Sequence, residues 1–413
     1  MKSFQSLELS VVLVLWNLGY AVDAFSLSAS TTIEKQRRCC CSVIRSGWAQ
    51  RSDGEWEWKE DDPDFMSPVA TPIVTLAEAS APPKLPSGSY KPKQSLGQNY
   101  LRDGNTVAKI IRAFHEDATR DRPLQKIVEL GPGAGALTDK LVETYGADSL
   151  QCIEIDERSV EILNDKHPAL RIRHDDVLQV DYPTMANEEG HPLVVIGNLP
   201  YYITSQILFA LADASHFGAV YCATVTMQWE VGQRMVAPIC TKDYGILSVV
   251  FQLYADVKCH FKIPPTVFYP KPKVDSALIG LHFVGPERLR QRLGGVQPTH
   301  LRRVVTTAFQ QRRKTLRNSL RKLAREANGG DSDAASTLFE SIPEHPSLPS
   351  KDDPFFDTCR LPKDWASKRP EELTCGQFVE VTRILYGPKD RHVDPSISLG
   401  HKVWRKLKHG STA

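Results

Sequence analysis

Between about residues 93 and 285, short apolar runs alternate with stretches whose apolar residues recur at helical spacing. Lys126-Ile-Val-Glu-Leu130 predicts a buried strand running into Gly131-Pro-Gly-Ala-Gly135, and Leu137, Leu141 and Val142 then share one helical face. Leu150-Gln-Cys-Ile-Glu-Ile155 predicts a second strand, followed by a helix through Val160, Ile162 and Leu163. Leu170-Arg-Ile-Arg173 predicts a third strand before Asp175-Asp176, and Leu193-Val-Val-Ile196 a fourth. Such alternation predicts an α/β fold built on a doubly wound, Rossmann-like parallel sheet. Sheets of this kind bind ligands at the carboxyl ends of their strands, where these Gly and Asp residues fall. After residue 285, Leu301, Val304, Val305, Ala308 and Phe309 predict a smaller, helical C-terminal domain.

The ends of the chain read differently. Lys2 precedes the apolar stretch Leu9–Leu18, too short to span a bilayer comfortably, and Ala21-Val-Asp-Ala24 offers a signal-peptidase site before Phe25. Residues 25–51 are rich in hydroxyls and bases and poor in acids, as transit peptides are. A signal peptide over 1–24 with a transit-like segment behind it has the form of a bipartite presequence for a plastid acquired by secondary endosymbiosis. The expectation is the plastid stroma, with no stable membrane association once processed; the mitochondrion, an ordinary secretory signal or an uncleaved anchor are the alternatives. Residues 52–92 run from an acidic block into Pro- and Ser-punctuated sequence and read as a disordered linker. Residues 389–413 read as a basic tail.

Composition narrows the classes. The 413 residues carry 51 Lys and Arg against 49 Asp and Glu, so global charge announces no nucleic-acid partner. With 41% hydrophobic and 24% charged residues the chain is neither collagen-like, wholly disordered nor a multi-span membrane protein. Nine cysteines, three of them Cys39-Cys40-Cys41, are too few for a disulfide scaffold, and the others form no C-x-x-C pair. A reducing compartment and no metal site are expected. Local charge says more. Between Pro286 and Ala327 twelve Lys and Arg face only Glu287 and Glu326. Arg313, Arg317 and Arg321 stand four apart beside Leu316 and Leu320, a guanidinium stripe suited to a phosphate backbone. A solvated helical face is the alternative.

The glycine loop, Gly131, Gly133 and Ala136, fits a dinucleotide fingerprint as well as other adenosine-bearing cofactors, with Glu154 placed to accept ribose hydroxyls. Asn198-Leu199-Pro200-Tyr201 after the fourth strand favours one chemistry. The exocyclic N6 of adenine is a poor nucleophile because its lone pair is delocalised into the ring. The Asn198 side-chain oxygen and the Leu199 carbonyl supply two acceptors for its N–H groups, Pro200 fixes the turn, and Tyr201 stacks on the extruded base. Taken alone, the four residues are equally a strand-end turn. Downstream of Glu129–Gly135, Glu154 and Asp176 they point to alkylation of an adenine amine.

At this point the chain resembles the KsgA-type small-subunit ribosomal RNA adenine dimethyltransferases, over about residues 93–388. The resemblance rests on Gln94–Asp103, Glu129–Thr138, Glu154-Ile-Asp156, Asp176, Asn198–Ile203, Met227–Glu230 with Arg234, Asp243–Gly245, Leu247-Ser248, Phe268–Ser276 and Phe309–Leu320. It implies a methyltransferase domain over 93–285 and a helical rRNA-binding domain over 286–388. It implies S-adenosylmethionine as cofactor, contacted by Asn99, Leu101, Gly131, Glu154, Asp176 and Asn198, with Glu154 on the ribose and Asp176 on the adenine amine. Phe268 is implied as a second wall for the target base opposite Tyr201; a core aromatic is the alternative. The expected partner is small-subunit rRNA, gripped by Arg312, Arg313, Lys314, Arg317 and Arg321, with two adjacent adenosines near the 3′ end each methylated twice by a monomer. Between Asn328 and Trp365 the sequence departs from the family, turning polar and Pro-rich, and reads as an inserted loop near 328–365. Competing functions are a nucleic-acid-binding transcription or assembly factor of the same fold, methylation of large-subunit rRNA, and a dehydrogenase.

Overall fold

The computed structural model describes residues 46–50, 56–60, 82–83, 91–340, 353 and 355–387. The chain divides into two compact units, Met1–Ser46 with Glu60–Phe65, and the remainder. Of the first, only Ser46 and Glu60 are among the described residues. The expected signal peptide, most of the transit-like segment and the basic tail lie outside them. Strands β1 (Ser46–Gln50) and β2 (Trp56–Glu60) form a two-stranded sheet, so the expected presequence and disordered linker contain some regular backbone.

The second unit is organised by a seven-stranded sheet of order β6-β5-β4-β7-β8-β11-β9. Its strands are β4 (Ile127–Leu130), β5 (Leu150–Glu154), β6 (Arg171–His174), β7 (Leu193–Asn198), β8 (Val220–Gln228), β9 (Ala255–Ile263) and β11 (Ser276–Phe283). From β6 to β8 every pair is parallel, as the alternation predicts. The far edge is not: β11 runs antiparallel to both β8 and β9. Only residues 264–275 separate β9 from β11, a connection that suits antiparallel neighbours better than a parallel crossover with its helix. Two-residue strands β3 (Tyr100–Leu101) and β10 (Phe268–Tyr269) pair apart from this sheet.

Both faces are covered. Ile127 and Val194 pack with Val107, Ile110 and Phe114 of α1 (Gly104–Ala118) and Leu141 of α2 (Thr138–Tyr145). Val128 and Val195, one position along, join the opposite core, as the two-residue period of a strand requires. Helix α1 starts at Asp103, whose carboxylate accepts from the Thr106 N–H at 2.8 Å and the Thr106 hydroxyl at 2.6 Å. Between the sheet strands run α3 (Glu157–Lys166), α4 (Tyr182–Glu189), α5 (Thr204–Ser215), α6 (Trp229–Val236) and α7 (Ile246–Tyr254). Among the described residues no helix is long and apolar enough to cross a membrane.

The C-terminal helices are α8 (Pro286–Leu293), α9 (Pro298–Gln310), α10 (Leu316–Ala327), α11 (Ser332–Leu338) and α12 (Cys375–Tyr386). Their apolar residues Leu301, Val304, Leu320 and Phe378 belong to the same buried cluster as Phe209 and Phe251 beside the sheet. The helical part therefore shares one core with the sheet. The stretch expected as an inserted loop is also packed where it is described: Phe339, Phe355, Phe356 and Trp365 are buried in that cluster. Asp353 is buried too, accepting from Arg288 Nε at 2.8 Å and Arg292 Nε at 2.9 Å. A polar, Pro-rich average conceals four anchoring aromatics and one buried carboxylate.

Candidate active site

A cavity of about 240 Å³ opens at the carboxyl ends of β4, β5 and β7. Asn99, Leu101, Gly131, Glu154, Asp176, Asn198, Leu199, Pro200 and Tyr201 all line it. Every residue expected to touch the cofactor is thus on one wall or another of a single pocket.

The loop after β4 leaves room because it is glycine. Gly131 and Gly133 have φ of +65° and +56°, a region that disfavours L side chains. A Cβ on Gly133 would sit 2.7 Å from the Tyr100 ring, whereas one on Gly131 would enter open space. Glu154 closes the floor. Its Oε1 accepts from the Ile155 and Asp156 N–H groups at 2.9 and 2.8 Å, and its Oε2 from the Gly133 N–H at 2.9 Å. Burial raises its pKa, and these three backbone donors work against the rise. A carboxylate offers about four lone-pair sites, so one remains on Oε2 for a ligand hydroxyl. On the neighbouring strand Glu129 is buried against the Thr138 hydroxyl, which donates at 2.8 Å; burial pushes its carboxyl up to about 8. Asp176 is half-buried and its Oδ1 accepts from the Leu178 N–H at 2.9 Å.

Asp156 has a part that its sequence motif did not reveal. Lys93 Nζ donates to Oδ1 at 3.0 Å, Gln98 Nε2 to Oδ2 at 2.9 Å, and Arg158 to both oxygens. Burial would raise this carboxyl, yet the hydrogen bonds from Arg158, Gln98 and Lys93 prevail and hold it well below the usual range. The anion thereby pins the 93–98 segment beside the pocket it helps to line.

The loop after β7 is held from two sides. Asn198 Nδ2 donates to the Asn99 carbonyl at 2.7 Å, and Asn198 Oδ1 accepts from the Thr226 hydroxyl. The Leu199 N–H donates to the Thr226 carbonyl at 3.3 Å, and the Thr204 hydroxyl to the Pro200 carbonyl at 2.9 Å. The Tyr201 hydroxyl lies 2.6 Å from Ser276 Oγ, which ties its ring to β11.

Phe268 does not join them. It is 1% exposed, paired opposite Leu101 in the β3–β10 ladder and packed with Ile263 and Leu278. The implied second wall for the target base is therefore not on the pocket surface here: Phe268 sits in the core opposite Leu101, which does line the pocket.

The basic segment divides in two. Arg292 is buried on Asp353, and Arg302 makes a two-pronged ion pair with Asp213 on α5. Arg312 donates to Glu371 Oε2 at 2.6 Å and to the carbonyls of Thr241 and Lys242. These contacts tie the half-buried Arg312, one of the residues expected on RNA, to the fold. Arg313, Lys314, Arg317 and Arg321 are exposed. Arg313 lies in the turn before α10 rather than on it, so the helical stripe consists of Arg317 and Arg321, and Arg325 extends it.

The family model described as ribosomal RNA adenine dimethylase matches residues 89–333. The "Ribosomal RNA small subunit methyltransferase A" of Salinibacter ruber is 39% identical over 329 residues, 80% of this chain and 94% of that protein. The protein of the same name from Prosthecochloris aestuarii is 40% identical over 231 residues, 56% of this chain and 82% of its own. Among solved structures, a dimethyladenosine transferase from Plasmodium falciparum shares the fold, with a TM-score of 0.50 and 22% identity over 68% of this chain and 95% of that one. With more than half its length matched by the family model and a near-full-length relative at 39% identity, this chain belongs to the ribosomal RNA adenine dimethylase family.

Proposed function

We propose that the protein transfers methyl groups from S-adenosylmethionine to N6 of adenosines in small-subunit rRNA, methylating each of two adjacent adenosines near the 3′ end twice. The observation that carries this reading is the placement of Asn198, Leu199, Pro200 and Tyr201 on the same pocket that Glu154 and Asp176 line.

The residues fit the cofactor. Gly131 leaves space that a side chain would fill, Glu154 keeps one acceptor site for a ribose hydroxyl, and Asp176 keeps Oδ2 for an exocyclic amine. When bound, S-adenosylmethionine supplies a methyl group on a sulfonium, a strong electrophile. Asn198 Oδ1 and the Leu199 carbonyl take the two N6–H donors, which draws the nitrogen lone pair out of conjugation with the ring. Tyr201, anchored on Ser276, offers its face to the extruded base. A methylated N6 is acidic before it loses its proton, so water suffices as acceptor. The site needs no buried general base. Labelled S-adenosylmethionine incubated with undermodified small subunits tests the reading: label should pass to rRNA, and its absence would remove it.

The rRNA backbone is met by the exposed cations Arg313, Lys314, Arg317 and Arg321. Replacing Arg317 and Arg321 together by Ala should weaken binding at low salt and lower the slope of log K against log salt by about one per lost phosphate contact. Titration of a small-subunit rRNA fragment at several salt concentrations checks this; an unchanged slope would place the RNA elsewhere.

The protein acts in the plastid stroma as a monomer, delivered by the presequence of residues 1–51. The support is compositional: an apolar stretch, small residues before Phe25, then a hydroxyl-rich basic segment. Residues 1–60 fused to a fluorescent protein should label plastids, and labelling of mitochondria alone would overturn the assignment.

A further inference from the structure

Thr226 lies near the end of β8, opposite Asn198 in the parallel ladder, and is fully buried. A buried β-strand position favours an apolar β-branched side chain, and Val would fill this space. A hydroxyl there costs free energy unless it is hydrogen-bonded, so its partner is informative. Two positions earlier, on the same face, the Thr224 hydroxyl donates to Asp117 Oδ2 at 2.7 Å, a bond that ties β8 to α1. The Thr226 hydroxyl is instead bonded to Asn198.

The orientation of the Asn198 amide follows from its two partners. The Asn99 carbonyl can only accept, so the end 2.7 Å from it must be the NH₂. The other end is then Oδ1, and Thr226 must donate its single hydroxyl proton to it. An amide oxygen has two acceptor sites. Thr226 fills one and so fixes the direction of the second. The main chain of Thr226 does related work, since its carbonyl receives the Leu199 N–H and seats the residue that supplies the second acceptor.

We propose that Thr226 is a positioning residue for N6 methylation, aligning the free acceptor site of Asn198 Oδ1 with the adenine amine. The inference rests on the N6-methylation reading above. It separates two jobs that meet at Asn198: holding the cofactor segment through Nδ2, and holding the target amine through Oδ1. Thr226 touches only the second.

The test compares Thr226→Val, Thr226→Ala and Thr226→Ser with the wild type. Val conserves shape, whereas Ala and Ser differ by one oxygen and need no extra room, so the comparison survives if Val folds poorly. Without the hydroxyl, kcat should fall by about 10–100-fold, the range expected for one aligned hydrogen bond. The Kd for S-adenosylmethionine should stay within about twofold, because Nδ2 keeps its hold on Asn99. Ser should recover kcat to within about threefold of the wild type. Ala and Ser giving equal rates would overturn the proposal, as would a fall in kcat that tracks melting temperature or cofactor affinity across the three variants. A wild type that transfers no methyl group would overturn the functional reading and this inference together, whereas an active wild type with an equally active Ala variant would overturn this inference alone.

Discussion

Asn198→Ala should lower methyl transfer by about 10²–10³-fold, the loss seen when one preorganised hydrogen-bonding group is removed from an active site. The substitution deletes the acceptor for the target amine and the donor to the Asn99 carbonyl in one step. The second loss loosens the 99–101 strip, so cofactor affinity should weaken as well, though far less than kcat. Asn198→Asp separates the two. It keeps an oxygen toward Thr226 but sets a second one against the Asn99 carbonyl, where two acceptors repel. That variant should bind the cofactor worse than Ala does and transfer methyl groups no faster. Steady-state kinetics with cofactor titration reads both quantities. An Ala variant with wild-type kcat would mean that Asn198 is only the turn residue its sequence context also allows.

Asp353→Ala should destabilise the protein by about 3–5 kcal/mol, the usual consequence of stranding a buried charge. Arg292 is 7% exposed and Asp353 is its carboxylate partner through two hydrogen bonds, at 2.9 and 3.1 Å. Without it the guanidinium keeps the Leu253 carbonyl at 2.9 Å and the Phe355 ring, neither of which carries a full charge. Replacing Asp353 and Arg292 together by Leu should cost less than the single change, since no charge is then left buried. Burial raises the Asp353 carboxyl, but the hydrogen bonds from Arg292 and Arg288 outweigh it and hold it well below the ordinary range. Its folded pKa is depressed, so the stabilisation is complete above the unfolded value of about 4 and is lost only as pH falls below that. Chemical denaturation at neutral pH checks the main figure. A change under about 1 kcal/mol would show that this part of the chain is not the buttress its burial indicates.

Much of the sheet and of the pocket is legible in the sequence. The parallel strands are readable because β4 is buried along its whole length and β7 along nearly all of its own, leaving uninterrupted runs such as Leu193-Val-Val-Ile196. The pocket residues are readable because the strand ends carry Gly, Glu, Asp and Asn where an α/β sheet binds its ligands. What stayed hidden depends on contacts distant in sequence. Phe268 looks like a candidate wall until its ladder with Leu101 places it in the core. Arg292 counts toward the basic run and Arg312 toward the expected RNA contacts, and Asp353 and Glu371, about sixty residues further along the chain, come to meet them. A charge count cannot distinguish a guanidinium that faces a phosphate from one that faces a buried carboxylate. The antiparallel placement of β11 between β8 and β9 was likewise invisible, because hydrophobic periodicity marks a strand without naming its neighbours. Asp156 lay within a recognised motif, yet only the fold brings Lys93 and Gln98 to it.

The central claim is dimethylation of adenine N6 at the Asn198 loop. Its most direct test is nucleoside analysis by mass spectrometry of small-subunit rRNA, taken from undermodified subunits after incubation with the protein and S-adenosylmethionine. The account predicts N6,N6-dimethyladenosine with the wild type, passing through the monomethyl form, and about 10²–10³-fold slower formation of both with Asn198→Ala. Unmodified rRNA from a wild type that binds both cofactor and RNA would contradict it.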